Sequence, residues 1–195
     1  MTPTELVRRA KWIGLDGVCI TDHNQVWDRE IIRRLGRDND IVVIGGVEVS
    51  TEEGDILAYG LHRSVREVYE IEQLRMLVDE AGGVMVAAHP FRGEFAASGN
   101  SPDIDQRKKQ DIFRYLDGLE VYNGLADNTE CKFTQEVARS LNLAETGGSD
   151  AHAILGVGRC FTICEDAIGS EEDLIAVIRE RRCRGAVWDK ALLKR

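Results

Sequence analysis

Short apolar runs alternate along the chain with longer amphipathic stretches. Residues 18–20, 41–44 and 84–88 are of strand length and have the continuous apolar character of strands that are buried on both faces. Apolar residues recur at helical spacing between these runs, and the longest such stretch covers residues 65–81. The alternation predicts an α/β fold with a mostly parallel sheet, built as a single domain over residues 1–195.

Several element boundaries carry explicit signals. Thr2-Pro3-Thr4-Glu5 has the pattern of a capping box with proline at the first helical position, and Ser170 precedes a last helix that is expected to end near Arg182. Further helices are expected over residues 27–35, 108–116 and 130–141, and further strands over residues 56–59, 119–122 and 187–188. Glycine and polar residues dominate positions 93–105, which are predicted to form a loop.

Four polar clusters stand at the points where predicted strands end. They are Thr21-Asp22-His23-Asn24, Gly46-Val47-Glu48, Ala88-His89-Pro90 and the segment 147–152. Parallel α/β folds place their sites at the carboxyl ends of strands, so the clusters are expected to meet at one face of the domain. Several carboxylates gathered there would repel one another unless cations neutralised them, and this predicts bound metal ions.

Composition narrows the class of protein. Hydrophobic residues make up 43% and charged residues 30% of the 195 positions, which is typical of a soluble globular domain. The net charge of -9 argues against bulk binding to nucleic acid, and no apolar run or leader pattern points to a membrane or to export. Five scattered cysteines without a C-x-x-C motif favour reduced thiols, and a cytoplasmic location is expected.

Histidine is the most informative residue type. Three of the four histidines, His23, His89 and His152, fall in the polar clusters, whereas His62 is predicted to be a surface residue. A lone histidine is more often a satisfied polar residue than a ligand, but three at equivalent positions favour a metal site. Asp150 and His152 are separated by one residue, and in an extended segment this spacing places both side chains on the same side.

These motifs resemble those of the PHP (polymerase and histidinol phosphatase) family. The resemblance rests on Ile20-Thr21-Asp22-His23-Asn24, Gly45-Gly46-Val47-Glu48-Val49-Ser50, Ala88-His89-Pro90-Phe91-Arg92 and Gly148-Ser149-Asp150-Ala151-His152. Leu119-Glu120-Val121-Tyr122-Asn123-Gly124 is similar to a segment of the small stand-alone members. The ordered set covers nearly the whole chain, and it implies a distorted (β/α)7 TIM-like barrel.

The resemblance also implies a reaction and the residues that perform it. The metal ligands would be His23, Glu48, His89, Asp150 and His152. Asp22 would be a nearby acid in the catalytic machinery, Arg92 would contact the substrate phosphate, and Asn123 is a further candidate for substrate binding. The implied cofactors are one to three divalent ions (zinc, manganese or iron). The implied activity is hydrolysis of the phosphate ester of a small metabolite or nucleotide, with metal-bound hydroxide attacking phosphorus.

The chain departs from the family pattern in two places. Members normally open with a strand that carries His-x-His, and this chain begins at the helix that follows that strand, so the barrel is expected to be incomplete at its N-terminus. Many members have a histidine ligand near Asp55, which is either a replacement ligand for a harder metal or a turn residue.

Two alternatives to the simplest hypothesis stay open. An incomplete site fits a non-catalytic domain that binds metal or has a structural role. Similar ligand sets also serve amidohydrolases, which act on bonds other than phosphate esters. An unfinished barrel would expose a strand edge, so a homo-oligomer is a further expectation. Residues 93–110 are either a lid over the substrate or a loop with a solvated helix start.

Overall fold

The computed structural model describes residues 1–63, 65, 70–93, 103–107 and 110–188. Within these residues the helices are α1 (Pro3–Trp12), α2 (Arg29–Asn39), α3 (Ile71–Glu80), α4 (Ile104–Arg107), α5 (Asn128–Leu141) and α6 (Glu171–Arg179). The strands are β1 (Gly17–Ile20), β2 (Val42–Thr51), β3 (Gly54–Tyr59), β4 (Val84–Ala87), β5 (Gly118–Asn123), β6 (Ala144–Gly148), β7 (Cys160–Cys164) and β8 (Cys183–Val187). Single 3₁₀ turns lie at Asp111–Tyr115 and Ile154–Gly156.

Strands β1 to β6 form one sheet in chain order, and β7 and β8 form a separate antiparallel hairpin. The pairs β1–β2, β4–β5 and β5–β6 are parallel, as the alternation of helices and strands predicts. Strand β3, however, runs antiparallel to both β2 and β4. Only Glu52 and Glu53 separate β2 from β3, and so short a connection cannot make the crossover that a parallel pair needs.

Strand β2 is longer than its apolar run predicts. The run ends at Ile44, but the strand continues to Thr51 because it changes partner along its length. Residues 42–45 pair with β1, and residues 46–51 pair with β3. Glu48 therefore lies inside a strand, opposite Leu57, and not in a loop after a strand end.

The sheet has a core on each face, because successive side chains of a strand point to opposite sides. Val47, Ile56 and Met85 pack with helices α3 and α5 in one cluster, and Leu57, Val86 and Ile178 of helix α6 belong to the other. The second face is concave. One cavity of about 1290 Å³ is lined by at least one residue of every strand, among them Ile20, Ile44, Leu57, Val86, Glu120, Thr146, Phe161 and Arg184.

The β7–β8 hairpin packs against the β6 side of the sheet. Thr162 Oγ1 donates to the Gly147 carbonyl at 2.9 Å and accepts from the Gly147 amide at 3.0 Å. The backbones approach so closely that a Cβ on Gly147 would lie 2.5 Å from the Phe161 carbonyl oxygen. At the other side, β1 has no partner on its second edge among the described residues. The sheet of the described residues is thus a curled half-barrel, open at β1 as an incomplete barrel would be, and the sevenfold (β/α) arrangement is not confirmed.

The helix signals are confirmed at both ends of the chain. Thr2 and Glu5 form the capping box of α1, and the Ser170 side chain accepts from the Asp173 amide at the start of α6. The second helix was predicted two residues too early and too short, since Asp28 caps it and it passes Gly36 to end at Asn39. Strand β7 was not predicted. Residues 66–69 of the long helical pattern and most of the predicted lid lie outside the described residues. No helix of the described chain combines the length and apolar character needed to span a membrane.

Candidate metal centre

The carboxylate of Glu48 lies between two histidines. His23 Nε2 is 3.8 Å from Glu48 Oε2, and His89 Nε2 is 3.4 Å from Glu48 Oε1. Glu48 is buried and His89 is half-buried, whereas the His23 side chain is 57% exposed. A carboxylate with an imidazole beside each of its oxygens has the geometry of a group that can bridge two divalent ions.

Main-chain hydrogen bonds fix the His23 side of this arrangement. The chain after β1 continues alongside β2, with His23 in a parallel bridge to Glu48. The Asn24 amide donates to the Glu48 carbonyl at 2.8 Å, and the Glu48 amide donates to the Asp22 carbonyl at 3.3 Å. The cluster Thr21–Asn24 and the middle of β2 are therefore held together by their backbones, independently of any ion.

Asp55 joins the same group from β3. It pairs with Ser50 in the hairpin, and Ser50 Oγ donates to Asp55 Oδ1 at 2.9 Å. His23, Glu48 and Asp55 each present one donor atom, and these three atoms lie within 4.8 Å of one another. In the described chain this is the one such group of three ligand residues, and its nitrogen and two carboxylate oxygens suit a divalent cation.

Three residues of the polar clusters have left-handed backbone conformations. Asn24, His89 and Asp150 have φ angles of 52°, 32° and 47°. Non-glycine residues rarely adopt this region, and two of the other positions where they do so here, Asp40 and Asn142, are ordinary helix C-caps. Unfavourable backbone at the ends of β4 and β6 indicates that the surroundings determine where His89 and Asp150 lie.

Asp150 forms an ion pair with Arg92, whose Nη1 contacts Asp150 Oδ2. Asn123 Nδ2 lies 3.4 Å from the same oxygen. Burial alone would raise the pKa of Asp150, but the hydrogen bond and positive charge of Arg92 outweigh burial, so the pKa is lowered. Asp150 is therefore a carboxylate at neutral pH, available to a cation or to Arg92.

Negative charges around the imidazole of His89 act on its pKa. Burial acts to lower its pKa, and the positive charge of Arg92 acts in the same direction. The hydrogen bond to Glu48 and the negative charges of Glu120 and Glu48 outweigh both, so the pKa of His89 is raised in the metal-free protein. A divalent ion would compete with this proton for the ring nitrogen.

The remaining predicted site residues have different surroundings. Asp22 accepts a hydrogen bond of 2.6 Å from the Trp27 indole, and it lies at the wall of the same cavity. His152 is largely exposed, and its Nδ1 lies 3.1 Å from the Asp150 carbonyl oxygen. Asn123 is buried, and both ends of its amide have protein partners, including the Leu125 amide at 2.8 Å. The structure thus groups His23 with Glu48, His89 and Asp55, and it groups Asp150 with Arg92 and Asn123.

Sequence reasoning gave no role to Glu120, which the structure places beneath the site. It accepts from the His89 amide and from Asn123 Nδ2, each at 3.0 Å. The sequence does carry one sign of a role for Glu120: it is an acidic residue within the otherwise apolar run Leu119–Tyr122. Burial of a charge in such a run costs free energy unless hydrogen bonds compensate it. Burial raises the pKa of Glu120, although its hydrogen bonds to Asn123 and His89 act to lower it.

Comparison with known proteins finds a family model that matches the C-terminal part of the chain. Residues 128–183, from helix α5 to the first residue of β8, match the model of the family described as PHP-associated. The resemblance to PHP proteins is confirmed. A curated relative, an uncharacterized protein of Methanocaldococcus jannaschii, is 30% identical over 122 residues, which is 62% of this chain and 66% of the relative. The matched region thus spans slightly less than two thirds of that protein.

Solved structures share the fold at low sequence identity. PsfC from Pseudomonas syringae has a TM-score of 0.67 at 20% identity, over 96% of this chain and 83% of that one. A protein of Bifidobacterium adolescentis assigned as a metal-dependent phosphoesterase gives 0.64 at 17% identity, over 97% and 92%. An amidohydrolase from Chromobacterium violaceum, with bound sulfate and no metal, gives 0.63 at 17%, over 78% and 83%. The curled half-barrel is therefore an α/β fold similar to that of PHP and amidohydrolase barrels.

Proposed function

We propose that this protein is a metal-dependent hydrolase that acts on phosphate esters of small metabolites or nucleotides. The observation that supports the proposal best is the buried Glu48 carboxylate, which has an imidazole beside each oxygen. Arg92 stands at the rim of the same site, next to Asp150. A cation site beside a planar guanidinium is the combination that binding and hydrolysis of a phosphate ester require.

The side chains fit two divalent ions. His23, Glu48 and Asp55 would hold one, since their donor atoms already lie within 4.8 Å of one another. His89, the other oxygen of Glu48 and Asp150 would hold a second, with His152 as a further exposed donor. Bound ions would supply Lewis acidity and a nucleophile at neutral pH. Zinc, manganese and iron all accept such a mixture of nitrogen and oxygen donors.

The protein's own residues would bind and orient the ester. Arg92 is 36% exposed on its side chain, so its guanidinium can turn from Asp150 to two oxygens of a phosphate. Asp150 would then face a cation in place of the arginine. Asp22, which accepts a hydrogen bond from the Trp27 indole at the cavity wall, would accept or pass on a proton. The chain is acidic, with a net charge of -9, but bound cations would make the charge at the site positive. An anionic substrate could then approach.

A metal-binding protein without catalysis is the second candidate. The Arg92–Asp150 ion pair favours it, because each partner satisfies the charge of the other. A hydrolase of another bond, as in amidohydrolases, would need no phosphate-binding arginine. Measured activity after metal loading would separate the phosphoesterase from a non-catalytic metal-binding protein. The class of substrate that is hydrolysed would separate it from an amidohydrolase.

The test is metal analysis followed by a substrate panel. Protein purified and then reconstituted with manganese, zinc or iron should hold at least one ion per chain and should hydrolyse phosphomonoesters or phosphodiesters. Asp150→Asn should abolish this activity, and His62→Asn, which lies outside the site beside Glu171, should retain it. Less than one ion per chain would contradict the proposal. Activity that survives in Asp150→Asn would belong to another site or to a contaminant.

A further inference from the structure

Glu120 is a buried carboxylate at the centre of the curled sheet. It is 6% exposed, it lies on β5 between the apolar residues Leu119 and Val121, and it lines the concave face. In the described part of the chain it forms no ion pair with lysine or arginine. A buried carboxyl group, charged or neutral, is tolerated only where hydrogen bonds compensate for the loss of hydration. Those hydrogen bonds all lead towards the metal centre.

One oxygen of Glu120 connects two strand ends. Oε2 accepts from the main-chain amide of His89 after β4 and from Nδ2 of Asn123 at the end of β5. His89 has the left-handed φ of 32°, and its amide has its hydrogen-bond partner in Glu120. The same Asn123 nitrogen reaches Asp150 Oδ2, beyond the end of β6. The Glu120 carboxylate therefore contacts the His89 backbone directly and is linked to Asp150 through the Asn123 side chain.

The other oxygen of Glu120 occupies space that only glycine leaves free. A Cβ on Gly148, the last residue of β6, would lie 2.2 Å from Glu120 Oε1. Any side chain at position 148 must displace the carboxylate or the strand. The ends of β4, β5 and β6 thus converge on one side chain.

We propose that Glu120 is a positioning residue, which orients His89 and Asp150 for metal binding without binding the metal itself. The inference rests on the function proposed above. Glu120 is not part of the group of three ligand atoms found in the described residues, and its Oε2 is already engaged by two N–H donors. Groups that orient the ligands of a metal commonly change its affinity about 10- to 100-fold when they are replaced.

Three variants test this role. Glu120→Gln keeps the shape of the side chain but replaces one acceptor oxygen with an NH₂ group. Gly148→Ala keeps the carboxylate and forces it to move. Glu145→Gln is the matched control, because Glu145 is a glutamate on the neighbouring strand β6 whose partners, Gln135 and Arg139, lie away from the site. The readouts are the dissociation constants of Mn²⁺ and Co²⁺ by calorimetric titration, the Tm of the metal-free protein, and the exchange rate of the His89 amide.

Both Glu120→Gln and Gly148→Ala should weaken ion binding about 10- to 100-fold and accelerate exchange of the His89 amide. Glu145→Gln should change neither ion affinity nor the exchange rate of the His89 amide, even if its Tm falls as far as that of the other two variants. Wild-type ion affinity in folded Glu120→Gln or Gly148→Ala would overturn the inference. If wild-type protein binds no ion, the proposed function fails. The His89 amide then still decides whether Glu120 positions it, since unchanged exchange in both variants would overturn that role as well.

Discussion

Arg92 and Asp150 form an ion pair that joins the segment after β4 to the segment after β6. The two residues belong to motifs 58 positions apart, so the contact depends on the parallel arrangement of β4, β5 and β6. The pair links the proposed phosphate-binding group directly to a proposed metal ligand. Loading of ions and binding of substrate are therefore expected to depend on each other.

Replacement of Arg92 by lysine should reduce kcat/KM for a phosphate ester by about 10- to 100-fold, because a point charge cannot form the paired N–H contacts of a guanidinium. Ion affinity should be retained or increased, since Asp150 loses its competing partner. The measurements are steady-state kinetics and metal titration.

The control for this variant is Arg63→Lys, which alters an exposed ion pair with Glu80 and should leave both kcat/KM and ion affinity unchanged. A parallel loss of ion affinity in Arg92→Lys would show that the arginine supports the metal centre and does not serve the phosphate.

Asp55 should control both the occupancy and the kind of ion at the His23 position. Asp55→Ala removes one of three grouped donors and should lower the metal content by up to one ion per chain. Asp55→His should restore binding but shift preference from manganese towards zinc, because imidazole is the softer ligand. Elemental analysis after reconstitution with an equimolar mixture measures both effects.

Asp103→Ala is a suitable control, since Asp103 is an exposed carboxylate whose side chain accepts from the Asp105 amide. Full ion content with unaltered selectivity in both Asp55 variants would mean that Asp55 is a turn residue and not a ligand.

The sequence predicted those features that depend on local pattern. Thr2 and Ser170 mark helix starts because a cap is a contact between residues three apart, and such contacts are visible in the chain itself. The motifs of His89 and Asp150 were also expected after strands, and the structure has them just beyond β4 and β6, whereas Glu48 lies within β2. The partner change of β2 was not predictable from local pattern, because it depends on β1 and β3 together. Glu120 was missed for the same reason: its partners His89 and Asn123 converge only in the folded sheet.

The metal-free protein should show a specific pH dependence that originates at His89. A histidine whose pKa is raised on folding contributes stability below its unfolded value, near 6.5, and this contribution is lost as the pH rises through the folded value. The Tm difference between wild-type protein and His89→Gln should therefore be larger at pH 6 than at pH 9, at about equal ionic strength. Thermal unfolding in the presence of a chelator measures it.

Ion binding should have the opposite dependence on pH. Because the ion displaces the His89 proton, wild-type affinity should fall as the pH is lowered through the raised pKa, and protons should be released on binding. His62→Gln serves as the control histidine. A Tm difference for His89→Gln that is constant from pH 6 to pH 9 would contradict the assigned charge interactions with Glu48 and Glu120.

We expect self-association through the free edge of β1. Gly17–Ile20 pairs with β2 alone in the described chain, and its residues line the large cavity. Uncovered edges invite pairing with another strand, and a charged side chain on the edge suppresses it. Light scattering over a range of concentrations should reveal a dimer, and Val18→Lys should shift the equilibrium to monomer. Met76→Lys is the control, because Met76 is an exposed apolar residue on α3. A monomer at all concentrations would refute the expectation, and an equal effect of both lysines would show that the contact is not at β1.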